Sequence, residues 1–131
     1  MFVKLIGTSL MPLAKPGDIL WLSKVYPSGW APGELVVFDS GGGFTAHRVI
    51  QAIRKDSGIW LQTAGQKARI PDSWIRDSEI IGRVVGIFQG SDISKLRQAP
   101  SGLRARVWAW RARLQCLLHE LRVGVRMHNS K

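Results

Sequence analysis

Cysteine is nearly missing from this chain: Cys116 is the only one in 131 residues. That excludes an internal disulfide framework and any multi-cysteine zinc site, and it suits a reducing compartment. No stretch approaches the roughly 18 uninterrupted apolar residues of a membrane-crossing helix. Acidic residues are also scarce, with 9 Asp+Glu against 19 Lys+Arg, a formal net charge of +10. What remains is ordinary, at 45% hydrophobic and 21% charged residues. Disordered, collagenous and low-complexity architectures are excluded, and the length fits one domain.

The positive charge is concentrated. Residues 91–131 hold nine basic side chains and two acids, whereas the first ninety hold ten and seven. A basic tail of this kind suits an anionic partner: a membrane surface, a nucleic acid or an acidic protein.

The first ninety residues alternate short apolar runs with turn signals. The expected strands are Phe2–Ile6, Ile19–Lys24, Leu35–Asp39, Phe44–Ile53, Ile59–Ala64 and Glu79–Phe88, the last broken near Gly82. Pro16-Gly17-Asp18 marks a turn, Tyr26–Gly33 a loop, and Gly41-Gly42-Gly43 a tight connection. In the fourth run, Ala46, Arg48 and Ile50 fall on one face, and Thr45, His47 and Val49 on the other. Strands so short, without helical patterns between them, predict a mostly antiparallel β-domain over 1–90.

Residues 91–131 read as a basic linker and an amphipathic helix. After Pro100-Ser101-Gly102, the residues Leu103, Val107, Trp110, Leu114, Leu117 and Leu121 recur at spacings of three and four, one face of an α-helix. Gly124 is the expected stop. The stripe over 103–123 either packs on the β-body or lies on an anionic membrane surface, where flanking Arg and the indoles of Trp108 and Trp110 would suit the headgroup boundary. Its five Arg exclude a span. At the N-terminus, Met1–Ala14 has a faint signal-peptide character, but Pro12 interrupts it and no cleavage site follows.

Four segments carry the chemistry: Gly7-Thr8-Ser9-Leu10-Met11-Pro12, Pro16-Gly17-Asp18-Ile19-Leu20, Gly33-Glu34-Leu35-Val36-Val37-Phe38 and Ala46-His47-Arg48-Val49-Ile50. In order and spacing they resemble the signal peptidase I family of serine endopeptidases, which shares a fold with the LexA-type self-cleaving peptidases. The family pattern has a nucleophilic Ser followed by Met, any residue and Pro. A Gly-Asp turn follows, then a Gly-Asp-Val-Val-hydrophobic strand, then a base directly before Arg-Val.

The resemblance implies Ser9 as nucleophile and His47 as general base, in the Ser-His subtype. It implies an extended precursor or signal-type peptide as substrate, with small side chains before the cleaved bond. A serine hydroxyl needs an adjacent base, and a neutral imidazole can take its proton near pH 7. The Ser9 backbone amide is the candidate oxyanion donor, since Gly7 has no side chain to offer. Leu10 stands where the family has Met, and Glu34 where it has Asp. Thr63-Ala64-Gly65-Gln66 stands where Thr-Lys-Gly-Asp is common. Asp72, in Ile70-Pro71-Asp72-Ser73-Trp74, is nominated to orient the imidazole.

No cofactor or metal is called for, because His119 and His128 have no ligand partners at useful spacing. Two other functions stay open: a catalytically degenerate member that binds through its basic helix, and a nucleic-acid-binding module, although no reader motif accompanies the helix. Ordinary family members are membrane-anchored and act outside the cytoplasm. Without a span, this chain is expected as a peripheral membrane protein, with a cytoplasmic protein as the alternative.

Overall fold

The computed structural model describes residues 1–24, 30–56, 58–67, 70–90, 92 and 95–129, with helix side chains described to residue 121. Among the described residues, eight strands form one antiparallel sheet. They are β1 (Phe2–Lys4), β2 (Ile19–Ser23), β3 (Leu35–Asp39), β4 (Phe44–Lys55), β5 (Gly58–Ala64), β6 (Ile75–Arg76), β7 (Ile80–Phe88) and β8 (Leu96–Gln98). The order is β1-β2-β7-β3-β4-β5-β6, with β8 also on β7. A 3₁₀ turn, Asp77–Glu79, leads into β7, and the helix α1 (Gly102–Asn129) follows the sheet. The mostly β architecture with a C-terminal helix is the one the sequence predicts.

Position in the sheet explains the strand compositions. β2 alternates, burying Leu20 and Leu22 and exposing Trp21. β3 lies between β7 and β4, and Leu35 through Phe38 are all buried. β7 is continuous through Gly82, where a break was expected; the irregularity is a register shift against β3 between Val37 and Phe38. A Cβ at Gly82 would lie 3.0 Å from the Leu22 side chain, so the glycine lets β2 pack close without ending the strand. Of the expected 26–33 loop, residues 26–29 lie outside the described residues, and 30–33 form its turn into β3.

Two expectations change. The 91–98 stretch is not only a linker, because β8 pairs with β7 (Gly86↔Gln98 to Phe88↔Leu96), and the Arg97 guanidinium donates to the Leu13 carbonyl at 2.8 Å. Three exposed residues give no alternation to read, and the open edge of β7 supplies what propensity does not. The helix also runs through Gly124 to Asn129. One glycine costs only about 1 kcal/mol in a helix, which the flanking turns can absorb.

The third difference matters most. α1 does pack on the body, but not through its leucine stripe. Ala105, Ala109, Ala112 and Cys116 are the buried positions, and Ala112 and Cys116, with Trp108 beside them, cluster with Ile50 and Ala64. Their spacing of four, three and four is helical too, but four small residues have little hydrophobic signal. They serve because the contact is close. A Cβ at Gly33 would lie 2.0 Å from the Ala105 carbonyl oxygen, and Gly33 has φ +88°. Gly33→Ala is therefore expected to destabilise the protein by more than about 2 kcal/mol, through clash and strain together. An unchanged denaturation midpoint would contradict this docking. Among the described residues, no helix is long and apolar enough to cross a membrane.

Candidate active site

Ser9 sits on a tight run of turns between β1 and β2. The Met11 amide donates to the Thr8 carbonyl at 3.0 Å, and the Leu13 amide to the Leu10 carbonyl at 2.8 Å. Leu10 and Ala14 are completely buried and pin the run to the core, while Ser9, directly before Leu10, is exposed. The base of the run is closed by Asp18. Its carboxylate accepts from the amides of Lys15 and Gly90, both at 2.9 Å. Burial alone would raise the Asp18 pKa, but these two bonds, with the charges of Arg97 and Lys15, hold it below its ordinary value. Among the described residues, the Ser9 amide has no backbone acceptor.

His47 lies on β4 opposite Val36, against the edge of the Phe38 ring at a centroid distance of 6.2 Å. Asp72 follows β5. Its amide donates to the Thr63 carbonyl at 2.8 Å, which brings its carboxylate back over the sheet. There Oδ2 lies 2.5 Å from His47 Nδ1 and accepts the Thr63 hydroxyl at 2.7 Å. Burial would raise this carboxyl, but the hydrogen bonds from His47 and Thr63, and the His47 charge, outweigh it and keep the pKa below the usual value. An ionised carboxylate has no proton to give, so the hydrogen between them belongs to Nδ1. With that hydrogen on Nδ1, the uncharged form of the ring presents its lone pair on Nε2.

Gly65 locates what Nε2 faces. A Cβ built there would lie 3.6 Å from His47 Nε2, 3.5 Å from Ser9 Cβ and 3.0 Å from the Ser9 carbonyl oxygen. The imidazole nitrogen and the serine side chain thus border the same small space, which a glycine leaves open. The structure therefore brings Ser9, His47 and Asp72 together around the end of β5.

The segment Thr63-Ala64-Gly65-Gln66 organises this meeting residue by residue. Thr63 holds Asp72. Gly65 admits Ser9 and His47. The Gln66 amide donates to the Ser9 carbonyl at 2.7 Å. The Gln66 side chain accepts from Arg48 at 2.9 Å, and the Gln66 backbone carbonyl accepts the Trp108 indole N–H at 3.1 Å. Arg48 also donates to the Gly33 carbonyl at 3.0 Å and stacks 4.1 Å from the Trp108 ring centroid. Burial lowers its pKa to about 10, still far above neutrality, so it stays cationic. Helix α1 therefore braces, through Trp108 and Gln66, the turn that carries Ser9. Sequence reasoning does not reach Thr63, Gln66, Arg48 or Trp108 in these roles. The one available signal was the position of the box itself between His47 and Asp72. Glu34, in the third segment, pairs with Arg83 at 3.0 Å.

Gly65→Ala is the sharpest local test. The added methyl must push the Ser9 turn by tenths of an ångström, so any chemistry at Ser9 should fall about tenfold or more. The stability cost should stay near 1 kcal/mol. Equal reactivity of the two proteins would separate Gly65 from the site.

A cleft of about 430 Å³ opens beside Ser9 and His47. Its walls come from β1 and the segment after it (Val3–Gly7) and from the start of β4 (Phe44–His47), with Leu20 and Val37 at its base. β5 pairs with β4 only from Arg48 onward. Among the described residues, the stretch Phe44–His47 has a strand on its β3 side alone. The cleft thus lies along an open sheet edge. Among the described residues, no three His, Cys, Asp or Glu side chains cluster as a metal site. His119 is half-buried on α1, and the side chain of His128 lies outside the described residues. A scan against protein-family models finds no match, and a search of curated proteins finds none either.

Proposed function

We propose that this protein is a serine endopeptidase of the signal-peptidase type. The observation that carries the reading is the line Asp72–His47–Gly65–Ser9, in which a carboxylate fixes the imidazole tautomer and the free nitrogen borders the serine. A peptide lying along the open edge of β4 would dock as an added strand, with main-chain hydrogen bonds holding its scissile carbonyl at Ser9.

In the first half-reaction, Ser9 Oγ attacks that carbonyl while His47 Nε2 takes its proton. The oxyanion is met by the Ser9 amide. Collapse of the tetrahedral intermediate breaks the C–N bond, and Nε2 returns the proton to the leaving amine. Water then attacks the acyl-serine, with His47 again as base, and releases the new carboxyl end. Asp72 remains ionised and stabilises the imidazolium formed in each half.

The test is acylation by a fluorophosphonate probe. Labelling should map to Ser9 by peptide mass and vanish on heat denaturation. Absence of labelling at Ser9 in folded protein would remove the nucleophile and leave a binding role as the better reading. Peripheral attachment to a membrane is the localisation that accords with this function and with the helix described next.

A further inference from the structure

Helix α1 has two faces, and only one is used by the fold. Ala105, Ala109, Ala112 and Cys116 sit on the body. At about 100° per residue, Leu103, Val107, Trp110, Leu114, Leu117, Leu118 and Leu121 are centred roughly 160° away. All seven are exposed: Leu103 is 78%, Trp110 64% and Leu121 58% accessible. A soluble helix normally does the reverse, turning its large apolar residues inward. Arg104 and Arg111 border this outer stripe on one side, and Arg106 and Arg113 border it on the other, all exposed. Glu120 is the single acid in the described part of the helix. Trp110, Leu114 and Leu117 also line a groove of about 400 Å³ against the body, where Ile50 and Pro71 are joined by the polar Gln51, Gln62, Arg113 and Glu120.

We propose that the outer face of α1 binds an anionic lipid bilayer, lying in the interface with its stripe in the acyl region and its two Arg rows at the headgroups. The charge selects this occupant. A second copy of the chain would bring the Arg rows of both helices against each other, whereas anionic headgroups neutralise them. Arg suits the position, since its aliphatic stem lies along apolar surface while the guanidinium stays at the phosphates. The small inner face holds the β-body against the opposite side of the helix, so the body rides above the surface and nothing need cross. This binding does not depend on Ser9 being a nucleophile.

The full-length protein should co-sediment with vesicles containing one-third phosphatidylglycerol in phosphatidylcholine at low salt. It should largely release at high salt and bind pure phosphatidylcholine far less. Each Arg near an anionic surface is worth about fivefold in partition. Arg104→Gln with Arg111→Gln should therefore lower binding roughly 25-fold. Replacing Trp110, Leu114 and Leu117 together by Gln should abolish it. These side chains are exposed, so the thermal melt and probe labelling should be retained, and brominated lipids should quench indole fluorescence in wild type only. Failure of the wild type to pellet with the anionic vesicles at low salt would overturn the proposal. So would undiminished pelleting of the triple variant. A dimer that the triple variant loses, with no vesicle binding, would assign the face to a second copy instead.

Discussion

Ser9→Ala should abolish peptide cleavage while leaving the fold intact. The two halves of this expectation rest on different atoms. The hydroxyl is exposed, so its removal uncovers no buried polar group and should change stability by about 0.5 kcal/mol or less. What holds the turn is untouched: the buried Leu10, the Gln66 amide on the Ser9 carbonyl, and the Asp18 carboxylate beneath. The chemistry has no substitute. Without Oγ there is no acyl-enzyme, and residual turnover would come only from water and the remaining oxyanion donor. Dissected triads suggest a loss of at least about 10³-fold, worth about 4 kcal/mol of barrier. The measurement is turnover of extended peptides with small residues ahead of the cleaved bond, beside fluorophosphonate labelling and a thermal melt. Equal turnover by the two proteins would end the peptidase proposal. A variant that fails to melt cooperatively would show that Ser9 is a packing residue.

The sheet was legible because its strands are short apolar runs set between glycines and prolines, and such runs are read locally. β8 was not, because three exposed residues form a strand only where β7 offers them an edge. Asp72 was nominated only through the family resemblance; what brings it to His47 is the return of the chain after β5, where the Asp72 amide pairs with the Thr63 carbonyl. The helix shows where pattern reading stops. Periodicity finds the stripe with the largest hydrophobic residues, and in α1 that stripe is exposed. The docking face consists of alanines and one cysteine, chosen by how closely the helix must approach Gly33, a distance no one-dimensional pattern contains. Gln66 was legible only as a departure from a family pattern. Its contacts explain the residue differently: the carboxylate that the box lacks comes from Asp72, and Gln66 joins Ser9 to Arg48 and Trp108.

Asp72→Asn should lower acylation of Ser9 at neutral pH by on the order of 10³- to 10⁴-fold, the scale seen when a triad carboxylate becomes an amide. The carboxylate accepts only, so it forces the imidazole hydrogen onto Nδ1 and leaves Nε2 basic. An amide can turn its NH₂ group toward Nδ1. The imidazole then carries its hydrogen on Nε2, where it cannot receive the proton of Ser9. The amide also lacks the charge that stabilises an imidazolium. Thr63→Val removes only the hydroxyl that helps position Asp72, so it should cost far less, about tenfold. Stability should change with pH as well. The fold holds the Asp72 carboxyl below its ordinary 3.8, so its contribution is fully present above that value and is lost as pH falls through the lower folded value. Asp72→Asn should therefore flatten part of the acid limb of the unfolding profile while leaving the neutral plateau similarly shaped. Acylation rates for the three proteins at pH 7, with unfolding midpoints down the acid limb, decide the matter. Wild-type acylation rates in the Asn variant would mean that the His47–Asp72 bond is structural only, and that another group activates Ser9.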